Sequence, residues 1–389
     1  MMRRNTLQLL ARLLGVNAAF FSGVTLINPK GGRLAAILYA PKVLAGAWGP
    51  IWILLGVIAA IVGFFSKEFK GSLAGVFGAV IGVIHMIRVT RPHDSFEQTL
   101  GTEWQAPLTP AEKAKMLPER WYPEFNPPDV PWQQDVLYGI HMETSDRLLA
   151  DIWQPPTGVK PTGLAVIYVH GSGWHYLDKD MGNRRFFRHL AAQGHVVMDI
   201  AYTKPPNSQL EGMVADVNRA IAWMKTEGAR LGVNPERIVL MGCSSGAQMA
   251  LLAAYAPHEP AFKPVEVDVD TSVRGVVSFS GQTDMLAAYE YFERNLPPFL
   301  TGRIPLERWI QSVIEWVFQH SRLRKEGSYV DPLQMLPSVL GGTPDEVPER
   351  YYLGSPVNHI GPHCPPTLLF QGTHDYTGLL PHVRRMHTA

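Results

Sequence analysis

The stretch that most constrains this chain is Ile238-Val239-Leu240-Met241-Gly242-Cys243-Ser244-Ser245-Gly246-Ala247. An apolar, β-branched run ends in Gly-x-Ser-x-Gly and passes into a small-residue segment with helix propensity, Gln248 to Ala254. This is the strand–turn–helix setting of a nucleophile elbow. So sharp a turn tolerates little beyond glycine at its flanks. It predicts the Ser244 hydroxyl at the carboxyl edge of a sheet, above the first turn of a helix. Unpaired N–H groups and the partial positive charge of that helix end suit a developing oxyanion. A tight βα turn in a nucleotide-binding sheet, with Ser244 as a plain helix cap, is the blander alternative.

Hydrophobic residues are unevenly spread. Residues 43–65 carry no charge (VLAGAWGPIWILLGVIAAIVGFF), and a helix of that length spans a bilayer core of about 30 Å. Residues 71–87 are shorter and Gly-rich, suited to close packing against the first span. Ser66 to Lys70 would form the polar turn between them. Residues 7–28 are apolar but interrupted by Arg12, which argues against a cleaved signal peptide and leaves an extra membrane or interfacial helix open. Counting Lys and Arg around two spans puts the hairpin outside and the C-terminal region in the cytoplasm. The domain plan is thus a membrane region over 1–89, a Pro-, Glu- and Trp-containing linker over 90–131, and a soluble domain over 132–389. Trp104, Trp121 and Trp132 either meet the membrane interface or pack on that domain.

Balanced charge (35 Lys+Arg against 34 Asp+Glu) gives no reason to expect a nucleic-acid partner. Two cysteines, Cys243 and Cys364, make no disulfide framework, and no Cys/His spacing resembles a metal site. In the soluble part, strand signals at 136–142, 148–154, 164–169, 195–202, 274–280 and 367–371 are separated mostly by helix-length segments. That alternation predicts an α/β fold with a mostly parallel, doubly wound sheet, which binds ligands beyond the carboxyl ends of its strands. The pattern fails over about 281–340. There the apolar stripe of Trp309, Ile310, Val313, Ile314, Val317 and Phe318 runs into Arg322, Arg324 and Lys325. It reads as an inserted helical cap, or as a lid touching a membrane.

A serine nucleophile needs an oxyanion hole, a base, and an acid to orient the base. His170-Gly171-Ser172-Gly173-Trp174 follows the 164–169 strand, in the place of an HGGG-type loop. The N–H groups around Gly171, Ser172 and Gly173, with that of Ser245, are the expected hole. His170 reads as a loop-orienting residue rather than the base.

From about Asp135 onward the chain resembles the α/β-hydrolase superfamily, above all hormone-sensitive-lipase-like and feruloyl-esterase-like carboxylesterases. The resemblance rests on "YVHGSGWHYLDKD", "LAAQGHVVMDIAYTKPP", "VADVNRAIAWMK", "LGVNPERIVLMGCSSGAQMALLAA" and "PPTLLFQGTHD", in the family's order. It implies hydrolysis of carboxylic esters through an acyl-enzyme, with no cofactor and no metal. The substrate would be a small-molecule or lipid-like ester. Two departures stand out: Ser172 replaces a glycine of HGGG, and Cys243-Ser244-Ser245 stands where many members have Asp-Ser-Ala. The loop also resembles the HGGxW loop of arylformamidases, which leaves an amide or formamide substrate open. The family's Gly-x-x-Asp turn falls on Gly372-Thr373-His374-Asp375, which makes Asp375 the acid, with Asp284 as runner-up.

The base is the difficulty. In this fold it follows the acid by one more helix and strand. His382 and His387 fall on what reads as that helix, so the last strand and the catalytic His are expected to be missing from this sequence. Two readings compete: a membrane-anchored serine esterase, and a non-catalytic hydrolase-fold protein that binds an ester or lipid and signals.

Overall fold

In the computed structural model the described residues are all except 1–3, 30, 92–94, 115, 117–125, 181, 296–329, 332, 374 and 376–379. The chain divides into two compact units, Met1–Glu124 and Phe125–Ala389.

The first unit is built on α1 (Arg4–Gly23), α2 (Gly32–Ala47), α3 (Gly49–Ser66) and α4 (Phe69–Val89), followed by the short helices α5 (Ser95–Leu100) and α6 (Pro110–Lys113). Three apolar segments, Arg4–Leu26, Gly49–Ser66 and Phe69–Val89, are long enough to cross a membrane. The uncharged run at 43–65 is therefore not one helix. It breaks at Trp48, where Gly49-Pro50 begins α3, and proline, which lacks an N–H, is at home in a first helical turn.

Where apolar side chains gain nothing by leaving lipid, helices associate through close packing. A Cβ on Gly56 would lie 2.6 Å from the Gly75 carbonyl oxygen, and one on Gly75 would lie 2.5 Å from that of Gly56. On the other side of α4, a Cβ on Gly15 of α1 would stand 2.3 Å from the Gly71 oxygen. The contacts advance together along α1 and α4 (Gly15 with Gly71, Ala18 with Gly78, Ser22 with Gly82), so these helices run parallel. Those of α3 and α4 run in opposite order.

Arg12, the interruption in the first apolar segment, is a fastening. Its guanidinium meets the Glu68 carboxylate in a two-pronged pair, at 3.2 and 2.8 Å, at the α3–α4 turn. Glu68 also accepts from the Gly71 N–H and caps α4. The Gln8 amide donates to the Ser66 carbonyl at 2.9 Å.

The second unit is a seven-stranded sheet in the order β1-β2-β4-β3-β5-β6-β7. The strands are β1 (Trp132–Ile140), β2 (Arg147–Trp153), β3 (Ala165–Val169), β4 (Val196–Ile200), β5 (Ile238–Cys243), β6 (Gly275–Phe279) and β7 (Thr367–Phe370). The β1–β2 and β2–β4 pairs are antiparallel; the others are parallel. Strands β3 and β4 are buried along their whole length, which accounts for their unbroken apolar sequences.

The helices are α7 (Arg184–Ala192), α8 (Leu210–Glu227), α9 (Ser245–Tyr255), α10 (Met285–Asn295), α11 (Met335–Leu340), α12 (Pro348–Leu353) and α13 (Leu380–Thr388). Every residue of α9 is buried, so the helix after the elbow lies inside the domain. Residues 330–340 and 281–295 belong to the expected insertion. The apolar stripe at Trp309–Phe318 and its basic run lie outside the described residues.

The seat of α9 depends on Gly246. A Cβ there would stand 2.2 Å from the Val169 oxygen and 2.3 Å from that of His170, both backbone atoms that cannot yield. Gly246→Ala is expected to cost roughly 3 kcal/mol. Equilibrium unfolding in urea would show it as a lowered midpoint, and an unchanged midpoint would refute the tight seating.

Candidate active site

The elbow forms where the parallel sheet delivers β5 between the ends of β3 and β6. Ser244 sits at φ 52°, ψ −124°, a conformation that side chains other than glycine rarely adopt. The surroundings hold it there. The Ser244 N–H donates to the Phe279 carbonyl at 2.8 Å. Its own carbonyl accepts from the Ala247 and Gln248 N–H groups at 3.0 and 3.1 Å, opening α9. A Cβ on Gly242 would fall 2.5 Å from the Gly246 oxygen, so the strand and helix arms meet backbone to backbone. Ser244 is partly accessible, whereas Ser245 is fully buried at the first position of the helix.

The loop after β3 lies directly against this turn. A Cβ on Gly171 would approach the Cys243 carbonyl oxygen to 2.6 Å and the Ser244 Cβ to 3.2 Å. Gly171, Ser172, Gly173 and Ser245 thus belong to segments converging on Ser244. The loop's shape is costly. Ser172, Gly173, Trp174, Leu177 and Asp180 all have positive φ, with Ser172 at 126° in space that glycine normally occupies. The Ser172 hydroxyl donates to the Tyr176 carbonyl, a local compensation that a third glycine lacks.

His170 is completely buried and stacks on Tyr202, with ring centroids 4.4 Å apart. Burial, reinforced by Lys204, pushes its pKa down to about 4, so the ring is neutral at pH 7. Nδ1 lies 2.8 Å from the Gly171 oxygen. A carbonyl only accepts, so Nδ1 carries the proton. Bonded to the Gly171 oxygen and stacked on Tyr202, His170 is held within the loop.

Asp375 follows β7 and accepts from the Gln371 amide at 3.0 Å. It lies near Cys243: burial raises the thiol pKa, and the negative charge of Asp375 raises it further. Cys243 is thereby kept a thiol rather than a second nucleophile. The runner-up acid, Asp284, is occupied elsewhere. It caps α10 through the Ala287 N–H at 3.0 Å and pairs with Arg385 at 2.9 Å. His382 lines a recess with Gly281, Gln282, Thr283 and Asp284. Burial lowers its pKa, partly offset by Asp284. Among the described residues no imidazole hydrogen-bonds the Ser244 hydroxyl; His374 lies outside them. None of the described His, Cys, Asp and Glu residues forms a metal-binding group.

One residue of the site was not singled out from the sequence. Gln248, wholly buried one turn into α9, accepts from the Trp174 indole N–H at 3.1 Å and donates to the Gly354 carbonyl at 2.8 Å. It ties the loop after β3 to the nucleophile helix and to the chain after α12. Its signal was a lone polar residue within an Ala-, Met- and Leu-rich run. Segment 330–340 covers the same loop: the Val330 N–H donates to Tyr176 Oη at 2.8 Å, and His175 Nε2 lies 3.1 Å from the Met335 oxygen.

A mostly parallel sheet with a serine turn at the end of β5, beside its central strand β3, and a glycine loop against that turn, is the α/β-hydrolase fold. Residues 150–331 match the BD-FAE family, a feruloyl-esterase-like group of that superfamily. The chain is 26% identical over 245 residues to the probable carboxylic ester hydrolase LipM of Mycobacterium tuberculosis, covering 62% of this chain and 47% of that protein. It is 24% identical over 277 residues to esterase LipC of the same organism, covering 71% and 57%. It thus spans about half the length of these curated relatives. Among solved structures, apo Thermogutta terrifontis esterase 2 is similar at a TM-score of 0.45 and 22% identity, covering 69% of this chain and 82% of that one.

Gln248→Met keeps the volume but leaves the Trp174 N–H and the Gly354 carbonyl buried without partners. The expected loss is about 2 kcal/mol or more of stability. A fall of roughly tenfold in the rate of fluorophosphonate labelling at Ser244 should accompany it, as the loop loosens. Gel-based labelling at a temperature where both proteins remain folded measures the second effect.

Proposed function

We propose that this chain is a membrane-anchored serine hydrolase that cleaves carboxylic esters through an acyl-enzyme on Ser244. The observation that carries the reading is the conformation of Ser244. A strained serine at a strand–helix turn, faced by a glycine loop so close that a Cβ on Gly171 would lie 3.2 Å from the serine Cβ, has no structural purpose as a helix cap. N–H groups of the Gly171, Ser172 and Gly173 loop and of Ser245 hold the oxyanion, and Asp375 is the acid of the relay. Both relatives' names, a carboxylic ester hydrolase and an esterase, support the ester class.

The alternative is a binding protein in which the elbow is a relic. It draws support from the absence, among the described residues, of an imidazole on Ser244. The two readings diverge on one experiment. Ser244→Ala is expected to abolish both fluorophosphonate labelling and the hydrolysis of p-nitrophenyl acetate and butyrate by the full chain. Labelling absent from the wild type, or hydrolysis unaffected by the substitution, would establish the binding reading. A formamide substrate would show itself as turnover of an N-formyl arylamine in excess of either ester.

The anchor is proposed to cross the membrane three times, through α1, α3 and α4. Because α1 and α4 run parallel, the N-terminus and the α3–α4 turn share one face. The hydrolase unit follows α4 on the other. Helix α2 begins and ends on the second face: Lys42 donates to Asn28 at 2.9 Å, and the Trp52 indole donates to the Leu44 carbonyl at 3.0 Å. It therefore lies along the membrane surface.

This arrangement removes the charge bias that two spans would give. Arg4, Arg12, Lys67 and Lys70 fall on one face; Arg33, Lys42, Arg88 and Arg91 fall on the other. Cysteine-accessibility labelling of intact cells is expected to place Asn5→Cys and Lys67→Cys on one side and His85→Cys with residues of the hydrolase unit on the other. Asn5→Cys labelled together with the hydrolase unit would return the anchor to two spans.

A further inference from the structure

The loop that bears Gly171, Ser172 and Gly173 cannot keep its shape through its own backbone preferences, since five of the residues from Ser172 to Asp180 have positive φ. Gln248 holds its near end at Trp174. Its far end, Lys179-Asp180, is fastened to two acids that sit alone in apolar strands: Asp151 in β2 and Asp199 in β4.

Asp151 and Asp199 are direct register partners on antiparallel strands, so their side chains leave the same face side by side. Each is 1% exposed. Asp151 Oδ1 accepts from the Lys179 ammonium at 2.7 Å and from the Asp135 N–H at 3.1 Å. Asp199 Oδ2 accepts from the Asp180 N–H at 2.6 Å. The remaining oxygens, Asp151 Oδ2 and Asp199 Oδ1, are buried and receive no donor. Two carboxylates on directly opposed strand positions in a dry interior do not both ionise. Leaving two buried acceptors bare is also costly. One proton relieves both.

We propose that Asp151 Oδ2 and Asp199 Oδ1 share a single proton, and that this carboxyl–carboxylate pair is a positioning element for the loop facing Ser244. The positioning role rests on the reading of Ser244 as nucleophile; the shared proton does not.

The surroundings assign the proton to the Asp199 side. Asp151 faces the Lys179 ammonium, which also meets Asp135 of β1 at 2.7 Å, and it feels Arg184 of α7. Asp199 faces Asp151 and Asp180 as like charges and Tyr168 of β3 as a neutral neighbour, with the Asp180 N–H and Lys179 opposing them. Burial, with those like charges, raises the Asp199 pKa well above the ordinary range. Asp199 thus donates an O–H to Asp151, whose other oxygen accepts from the Lys179 ammonium. When pH rises through the folded pKa of Asp199 the proton goes to solvent. Asp199 Oδ1 then repels Asp151 Oδ2, and the anchorage of Lys179-Asp180 slackens.

The test uses the full chain in detergent. Difference infrared spectra of wild type against Asp199→Asn at pH 7 are expected to show the carbonyl stretch of a protonated, buried carboxyl, shifted in D2O, in the wild type alone. Absence of that band from the wild type would overturn the shared proton. Asp199→Asn replaces the O–H by an amide N–H, so the fold should persist by circular dichroism while the titration disappears. For the positioning role, the rate of fluorophosphonate labelling in the wild type should fall at alkaline pH, with a midpoint that Asp199→Asn removes. Lys179→Met should slow labelling about tenfold at pH 7 while the infrared band persists. An alkaline fall identical in wild type and Asp199→Asn, or labelling of Lys179→Met at the wild-type rate, would refute it. Failure of the wild type to label at all would refute the nucleophile reading, and the infrared band would still decide the proton.

Discussion

The structure of the second unit depends on one close approach, that of α9 to the end of β3. At Gly246 the backbone of the helix touches the carbonyl oxygens of Val169 and His170 with no room for a methyl group. The same contact brings the Ser244 turn against Gly171. Closing the elbow and delivering the glycine loop to the serine are therefore one packing event. The hydrophobic effect supplies its driving force, since α9 is buried along its length. The glycines set its geometry. Without them the same apolar burial could not close to this distance, because a Cβ at Gly246 would overlap two backbone carbonyl oxygens.

Such an approach fixes the near end of the glycine loop and nothing further along it. A segment with repeated positive φ must be held from outside, and the holders are buried polar groups rather than apolar contacts. Gln248 grips Trp174 from below, segment 330–340 covers His175 and Tyr176, and Lys179-Asp180 is fastened to the strands. Directional hydrogen bonds suit this task because an apolar contact tolerates sliding, whereas a buried donor without its acceptor costs about 1–3 kcal/mol.

The elbow turn, the glycine loop, most of the strand positions and the apolar helices were legible in the sequence because each follows from local chemistry. Glycine spacing, unbroken apolar runs and turn residues carry them directly. The partnerships were not legible. That Gln248 meets Trp174, 74 residues earlier, or that Asp151 stands opposite Asp199, depends on strand register, which local sequence does not encode. Both nonetheless left a trace: a single polar residue inside an apolar run is either a mistake of patterning or a partner waiting for a register. The partners of Asp284 were equally hidden. Its place after β6 fitted an acid, and only the fold shows it consumed by the α10 cap and Arg385.

The membrane region makes the same point with charge in place of register. Counting Lys and Arg orients a chain only after the number of spans is known, because each added span moves every preceding charge to the opposite face. Arg12 looked like a break in the first apolar segment and pulled the count towards two spans. Paired with Glu68, it is the residue that fastens a third helix to the turn of the other two. The pair joins the middle of α1 to the α3–α4 turn, so it ties α1 into the bundle. On the proposed three-span reading, with α1 parallel to α4, the positive residues divide evenly and electrostatics prefers neither orientation.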